Sequence, residues 1–448
     1  MALGWKLHGD GKHLTPGEVV KPDERLSWPR MVGFGAQHVI AMFGATFVFP
    51  LLMGLDANLA VMMSGVATII FLLVVQGKVP SYVGSSASFV GAAAAITAAG
   101  GTPATLTGAL LVVGVVLALL GVVIHLLGVQ VIHRVFPPIV TGGVVMLIGF
   151  GMAFVAADVY WPKDPWVALI TMLATFVFIG VFRGFLGRIG ILLGLVFGFL
   201  LSWAWDRVAG PITSTTPDGT VAETFRVNLD KVAAADWFGL PALHAPEFKI
   251  SAIVLVLPVV IALIAENIGH VKAVGEMTGQ DLDGSMGRAV MADGLGTIVA
   301  TSVGGSATTT YAENIGVMAA TRVYSTAAYY IAAVIAILFG LCPKFGALIA
   351  ATPDGVLGGV TTILYGMIGL LGAKMWIENK VDLNKTVNVV PIGAGIICAI
   401  GPVSFPISDT FSLSGIALGT IVLLVGYHGL KAISPKTEDT PQTPVSGT

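Results

Sequence analysis

Three ionisable side chains stand in the most apolar stretches of the chain: Glu266 and His270 in "VLPVVIALIAENIGHVKAVG", and Glu313 in "TTTYAENIGVMAATR". A spacing of four residues puts Glu266 and His270 on one helix face. An ionisable group inside a bilayer costs at least a few kcal/mol, so by default it marks a substrate pathway or a proton relay. A carboxylate accepts two hydrogen bonds, and an imide-like ring with neighbouring N–H groups offers them. A carboxyl withdrawn from water can exchange a proton during a cycle, and a nearby histidine can supply or relay it. The structural alternatives are a protonated Glu266 hydrogen-bonded inside the bundle and a His270 satisfied near a helix end. Such acids suit a proton-coupled carrier of a neutral, hydrogen-bond-rich solute, and they would repel inorganic anions. His38, beside Gln37 in "GAQHVIAMFGAT", is either a further relay or a core histidine bridging helices. Tyr311 and Tyr365 could offer hydroxyls or ring faces to a flat ligand, or serve as packing residues.

The rest of the composition says what must hold these groups. Hydrophobic residues make up 55% of the chain, charged residues 11%, and the mean hydropathy is +0.90. Soluble domains run near a quarter charged, so the chain is expected to be an all-α polytopic membrane protein in a lipid bilayer. The net charge of −2 gives no ground for a nucleic-acid partner. Cys342 and Cys398 have no ligand spacing, so neither a disulfide framework nor a metal site is expected. H-E-x-x-H and G-x-S-x-G motifs are absent from the spans, which argues against an enzyme. The driving force would be a proton gradient with no cofactor. The first thirty residues carry no apolar signal-peptide core, and the tail from Ser434 has a disorder-prone composition.

About fourteen apolar segments follow, each near the length of a span. They fall at 31–54, 57–77, 81–99, 104–128, 137–157, 165–182 and 187–206, and again at 251–271, 288–303, 306–321, 324–343, 355–376, 386–402 and 411–432. The polar connection 207–250 divides them into seven plus seven. With a cytoplasmic N-terminus, the short inner loops hold Lys78, Arg134, Arg183, Arg188, Lys272, Arg288, Arg322, Lys374, Lys380 and Lys385, and the short outer ones only Lys163 and Lys344. That asymmetry obeys the positive-inside rule and puts both termini in the cytoplasm, with 207–250 outside. An odd number of helices per half inverts the second half relative to the first, as in many secondary transporters.

Segments three and ten share a phrase: "VGSSASF" at Val83–Phe89 and "VGGSATT" at Val303–Thr309. Gly, Ser and Thr make both poor membrane helices. Broken backbone at membrane depth is tolerated where protein or a wet cavity surrounds it, and paired interruptions point to a transporter's binding site. The expectation is a short extended piece leading into a half-helix in each copy, although small residues could also serve tight helix packing alone.

These residues resemble the nucleobase–cation symporters, also called nucleobase–ascorbate transporters. The family signature [QEP]-N-x-G-x-x-x-x-T-[RKG] is matched from Glu313 and Asn314 through Gly316 to Thr321 and Arg322, and its early "QH" pair by Gln37-His38. The stretch "AENIGHVKAVGEMTGQDLD" is similar to that of the bacterial uracil–proton symporters and their pyrimidine-permease relatives. The likeness extends from about Leu26 to Ile433. It implies two inverted seven-helix repeats, with short strands and half-helices in segments 3 and 10. A substrate-binding core (31–128 and 251–343) and a gate (129–206 and 355–432) would lie between cytoplasmic tails at 1–30 and 433–448. It also implies that Glu266 and Glu313 bind a uracil-like ring and that His270 helps couple the proton; Glu266 and His38 stand beside it as candidates for that coupling. Tyr311 and Tyr365 would lie near the ligand, and Ser86, Ala87 and Ala312 would contribute backbone. Ala87 stands where a well-matched uracil carrier has Phe, Ala312 where it has Gly, and Asn267 where it has His, which bears on ligand range. Similar transporters dimerise through the gate. A purine or xanthine carrier, and an anion exchanger or channel of the same broad fold, stay open as alternatives.

Overall fold

The computed structural model describes residues 4–12, 14, 18–130, 134, 136–215, 221–401, 403–408 and 411–434. Among these, eight helices are long and apolar enough to cross a membrane. They are α1 (Trp28–Leu52), α2 (Ala57–Val74), α4 (Pro103–Leu127), α5 (Pro138–Lys163), α7 (Gly190–Ala209), α8 (Ile250–Thr278), α12 (Asp354–Glu378) and α14 (Gly415–Ile433). Shorter apolar helices are α3 (Val90–Ala98), α6 (Pro165–Gly180) and α13 (Thr386–Ile400). Helix α11 (Thr326–Gly340) bends by 81° into Pro343–Ala350. Helices α9 (Asp283–Ser302) and α10 (Ala312–Thr321) complete the set. Every segment expected from the sequence thus has its element, and the chain is a multi-pass membrane protein.

Local chemistry sets the ends. Proline fills the first turn of α1, α4 and α6, where its missing N–H costs nothing. Asp56 caps α2 by accepting from Leu59 N at 2.8 Å, and Thr102 with Thr105 forms a capping box on α4. Gly279, in the left-handed region at φ +65°, ends α8.

Packing is duplicated about a pseudo-twofold axis. Helix α2 packs on α11 as α9 packs on α4, α6 on α7 as α13 on α14, and α6 on α12 as α13 on α5. Each of these pairs becomes the other when seven is added or subtracted, which is what inverted repeats require. The close approaches repeat too. A Cβ on Gly65 of α2 would collide with Ala333 O of α11, and one on Gly294 of α9 with Ala118 N of α4. Small residues let these backbones touch, and such packing substitutes for the hydrophobic drive that lipid removes.

Three stretches carry structure that the sequence reading did not describe. The connection 207–250 is not a bare loop. It holds a hairpin, Ile212–Thr215 with Val221–Thr224, and a short helix, Asp230–Ala234. Its Arg226 donates from Nε to Asp164 Oδ2 at 2.7 Å and from Nη1 to Asp206 Oδ1 at 3.1 Å, fastening it to α6 and α7. Before α1, Lys6–Leu7 pairs in parallel with Glu24–Arg25. Finally, the start of the last expected segment, Phe411–Ser414, is a strand paired with Ser404–Ser408, because the helix begins only at Gly415. The disorder expected of the C-terminal tail concerns 435–448, outside the described residues.

Candidate functional site

The shared small-residue phrase builds one feature. Strand β1 (Val83–Ser85) pairs antiparallel with β2 (Thr308–Thr310), in the register Val83↔Thr310, Gly84↔Thr309 and Ser85↔Thr308. Ser86 N donates to Ala307 O and Tyr311 N to Tyr82 O, each at 3.0 Å, extending the pairing symmetrically. In a bilayer each unpaired backbone group costs several kcal/mol, so neither strand is stable there without the other. A half-helix follows each strand, α3 after a 3-10 turn at Ala87–Phe89 and α10 directly. At 1.5 Å per residue α10 spans roughly 15 Å, half of a hydrocarbon core about 30 Å thick. A half-helix of that length would reach the membrane surface from a strand pair at mid-depth.

The register differs from the one the sequence echo suggests. The symmetric centre is Gly84·Thr309, so Val83 corresponds to Thr308 and not to Val303. Hydrogen bonds to the supporting helices agree: Val83 N receives Thr68 Oγ1 of α2 as its acceptor, and Thr308 N receives Thr297 Oγ1 of α9, both at 3.0 Å. Matching glycines and serines five residues out of step is a hazard of small-residue sequences, which carry little register information.

Acidic groups gather on the β2 side. Glu266, half-buried on α8, lies beside the Thr309 hydroxyl and within electrostatic reach of Asp293 and Glu313. His270, one turn on, makes a 2.8 Å hydrogen bond between its Nδ1 and Thr310 Oγ1. Glu313 is the second residue of α10. Both it and Ala312 are exposed. Ala87, at the mouth of the first half-helix, is half-buried. The structure thus brings together Glu266, His270 and Glu313, with both half-helix N-termini opposite one another across the strands.

One acid in this group escaped the sequence analysis. Asp293 of α9 is only 2% exposed, and its Oδ2 accepts from Asn267 Nδ2 at 2.6 Å. It lies beside the Thr310 backbone. The signal was available, since an aspartate in "GRAVMADGLGTIVAT" is an ionisable residue inside an expected span. No basic side chain forms an ion pair with any of these three acids among the described residues.

Other expected site residues are held elsewhere. Tyr311 is buried, its hydroxyl donating to Ser85 O at 2.8 Å and accepting from Thr46 Oγ1 at 3.2 Å, with its ring against Gly84. It locks the two strands together. Ser86 is buried and accepts from Ser88 N at 3.3 Å, so its hydroxyl caps the turn locally. His38 stacks on Tyr329 at 4.2 Å, while Asn314 Nδ2 donates to His38 Nδ1 at 3.1 Å and to His38 O at 3.0 Å. These contacts tie α1, α10 and α11 together. Tyr365 is buried on α12, and its hydroxyl has no hydrogen-bond partner among the described residues.

The signature runs along α10 from its second residue, Glu313, to Arg322 just past its end. Gly316 is half-buried within it, and at the far end Thr321 Oγ1 accepts from Val323 N at 3.3 Å. Arg322 closes the helix in the left-handed region at φ +57°, a conformation that costs a non-glycine residue about 1 kcal/mol.

The chain is similar to known proteins in both sequence and shape. A family model described as "Permease family" matches residues 30–407. The candidate pyrimidine permease RutG of Escherichia coli (strain K12) is 42% identical over 93% of this chain and 92% of its own. The uracil permease of Bacillus caldolyticus is 36% identical over 90% of this chain and 93% of its own. In shape, the chain is similar to the transmembrane domain of the cyanobacterial bicarbonate transporter BicA, with a TM-score of 0.57 at 14% identity, covering 89% of this chain and 97% of that one. It is also similar to the murine Slc26a9 anion transporter in its inward-facing state, with a TM-score of 0.63 at 11% identity over 90% of this chain and 68% of that one. Likeness at such low identity speaks for the fold, a helical transporter fold of inverted repeats. The sequence matches go further, and by them the chain belongs to the Permease family: it is a membrane permease and not an enzyme.

Proposed function

We propose that this protein imports uracil, or a closely related pyrimidine nucleobase, together with protons. The observation that carries the reading is the convergence of Glu266 on α8 and Glu313 at the start of α10 beside the β1–β2 pair. Two carboxylates match the N–H groups of an imide ring, and backbone at Ala87 and Ala312 supplies the remaining partners. The names of the sequence relatives, uracil and pyrimidine permeases, support the same solute class. Protons suit the site as coupling ions, because no basic side chain pairs with its acids among the described residues and His270 stands next to Glu266 through Thr309 and Thr310.

In this reading 31–128 and 251–343 form the substrate-binding unit and 129–206 and 355–432 the gate against which it moves, with Tyr365 reaching the ligand from the gate. The protein lies in the plasma membrane with both termini cytoplasmic, and a homodimer would form through the gate. Ala87 in place of a ring leaves space for a substituent larger than uracil's.

Uptake of radiolabelled uracil into proteoliposomes, with and without an inward proton gradient, tests the proposal. Gradient-dependent accumulation abolished by a protonophore is expected. Absence of uptake, or indifference to the protonophore, removes it. Competition by unlabelled xanthine and guanine that exceeds competition by uracil and thymine would place the protein among purine carriers. Chloride- or bicarbonate-dependent flux would make it an anion exchanger.

A further inference from the structure

We propose that the segment before α1 is a positioning clamp for the signature helix, holding the end of α10 opposite Glu313. The inference rests on the reading that α10 carries part of the substrate site. Val20 is fully buried and forms a parallel bridge with Val323: its N–H donates to Arg322 O at 2.9 Å, and its carbonyl accepts from Tyr324 N at 2.8 Å. Two residues on, Pro22 O accepts both Thr326 N at 3.1 Å and Thr326 Oγ1 at 2.9 Å. Trp5 Nε1 then donates to Thr326 Oγ1 at 2.8 Å, so the hydroxyl joins two points of the segment to the start of α11. Beneath these bonds Val20, Leu26 and Met31 pack with Val323, Ala327 and Ala328 in an apolar cluster of their own.

The turn between α10 and α11 needs such support. Helix α10 has ten residues, a length that is marginal without outside contacts. Its first end is fixed by the strand pair through Tyr311 N and Tyr82 O. Its last end closes on Arg322 in the left-handed region, where an arginine is strained. The equivalent half-helix α3 ends instead in a turn with Gly100 at φ +77°. A glycine adopts that geometry without strain, and its turn closes on itself through Gly101 N and Ile96 O at 2.8 Å. The end of α10 also closes on itself, through Arg322 N and Met318 O at 2.9 Å, but on a strained residue whose carbonyl is then held by the N-terminal segment. A rigid short helix transmits a change at one end to the other, so release of Arg322 would loosen Glu313.

Full-length purified variants test the clamp. Val20→Pro removes the N–H that holds Arg322 O, and Thr326→Val removes the hydroxyl shared by Trp5 and Pro22. Thr326→Ser keeps it and serves as the rescue. The readouts are the uracil dissociation constant and hydrogen exchange over 312–321. Val20→Pro and Thr326→Val are expected to speed exchange there and to weaken uracil binding about tenfold or more, with Thr326→Ser close to wild type. Unchanged exchange over 312–321 in both variants overturns the clamp, as does faster exchange with unaltered uracil affinity. Should the wild-type protein bind no uracil, the substrate reading fails by itself, and the exchange measurement still decides whether the segment holds α10.

Discussion

Where their strands meet, the two repeats offer matching backbone and contrasting side chains. The strand pair is symmetric about Gly84·Thr309, and threonines at equivalent places, Thr68 and Thr297, brace the two strands. Following the same correspondence outward, Ser88 occupies the place of Glu313, and Ser64, four residues before Thr68, that of Asp293, four before Thr297. Helices α1 and α8 match in burial when Gln37 is set against Glu266 and His38 against Asn267. Each of the three acids beside the strand pair thus corresponds to a neutral polar residue in the first repeat. Ser64 is satisfied by Tyr82 Oη at 2.8 Å and Val61 O at 2.7 Å, as a structural hydroxyl should be. The difference teaches that the duplicated backbone makes the break in the membrane, whereas the chemistry was placed on one side of it.

Substitutions that erase or exaggerate this contrast should have graded effects. Glu266→Gln removes the carboxyl group beside Thr309 and is expected to abolish uracil uptake in proteoliposomes while leaving the protein monodisperse and folded; wild-type uptake would show that the α8 acid is dispensable. Asp293→Asn keeps the shape but alters the partner of Asn267, and uptake should fall at least about tenfold; an unchanged rate would make Asp293 a packing group. Gly84→Ala puts a Cβ 2.7 Å from the Tyr311 ring. Overpacking of that kind costs about 1–3 kcal/mol, to be seen as a lowered Tm, and an unshifted Tm would mean that the strands separate more easily than their packing suggests. Tyr311→Phe leaves Ser85 O without its donor, a loss of roughly 1–3 kcal/mol, also measured by thermal unfolding. If Tyr311→Phe instead raised KM for uracil at unchanged Tm, the tyrosine would belong to the ligand and not to the strand lock.

Much of this was legible in the sequence because lipid imposes strong rules. The helices follow from apolar run length, and the inversion from an odd count per half. The two broken segments follow from glycine, serine and threonine in spans, and Glu266 and Glu313 from the cost of charge there. The register of the strand pair was not legible, since "VGSSASF" and "VGGSATT" align by composition five residues away from where the backbone aligns them. Asp293 was missed because its neighbours are glycine and alanine, with no partner in the local sequence to draw the eye to it. Its partner, Asn267, comes from another helix. The same reason hid the roles of Tyr311 and His38, whose hydrogen bonds run to Ser85, Thr46 and Asn314, and the docking of Val20 on Arg322, some three hundred residues along the chain.

The contrast between equivalent positions can be measured directly. Uracil binding to purified wild-type, Glu313→Ala and Ser88→Ala proteins compares one place in the two repeats with everything else held constant. Loss of saturable binding in Glu313→Ala, with Ser88→Ala within about threefold of wild type, is the predicted result. Wild-type affinity in Glu313→Ala, or an equal loss in both, would contradict a site whose recognition lies in the second repeat.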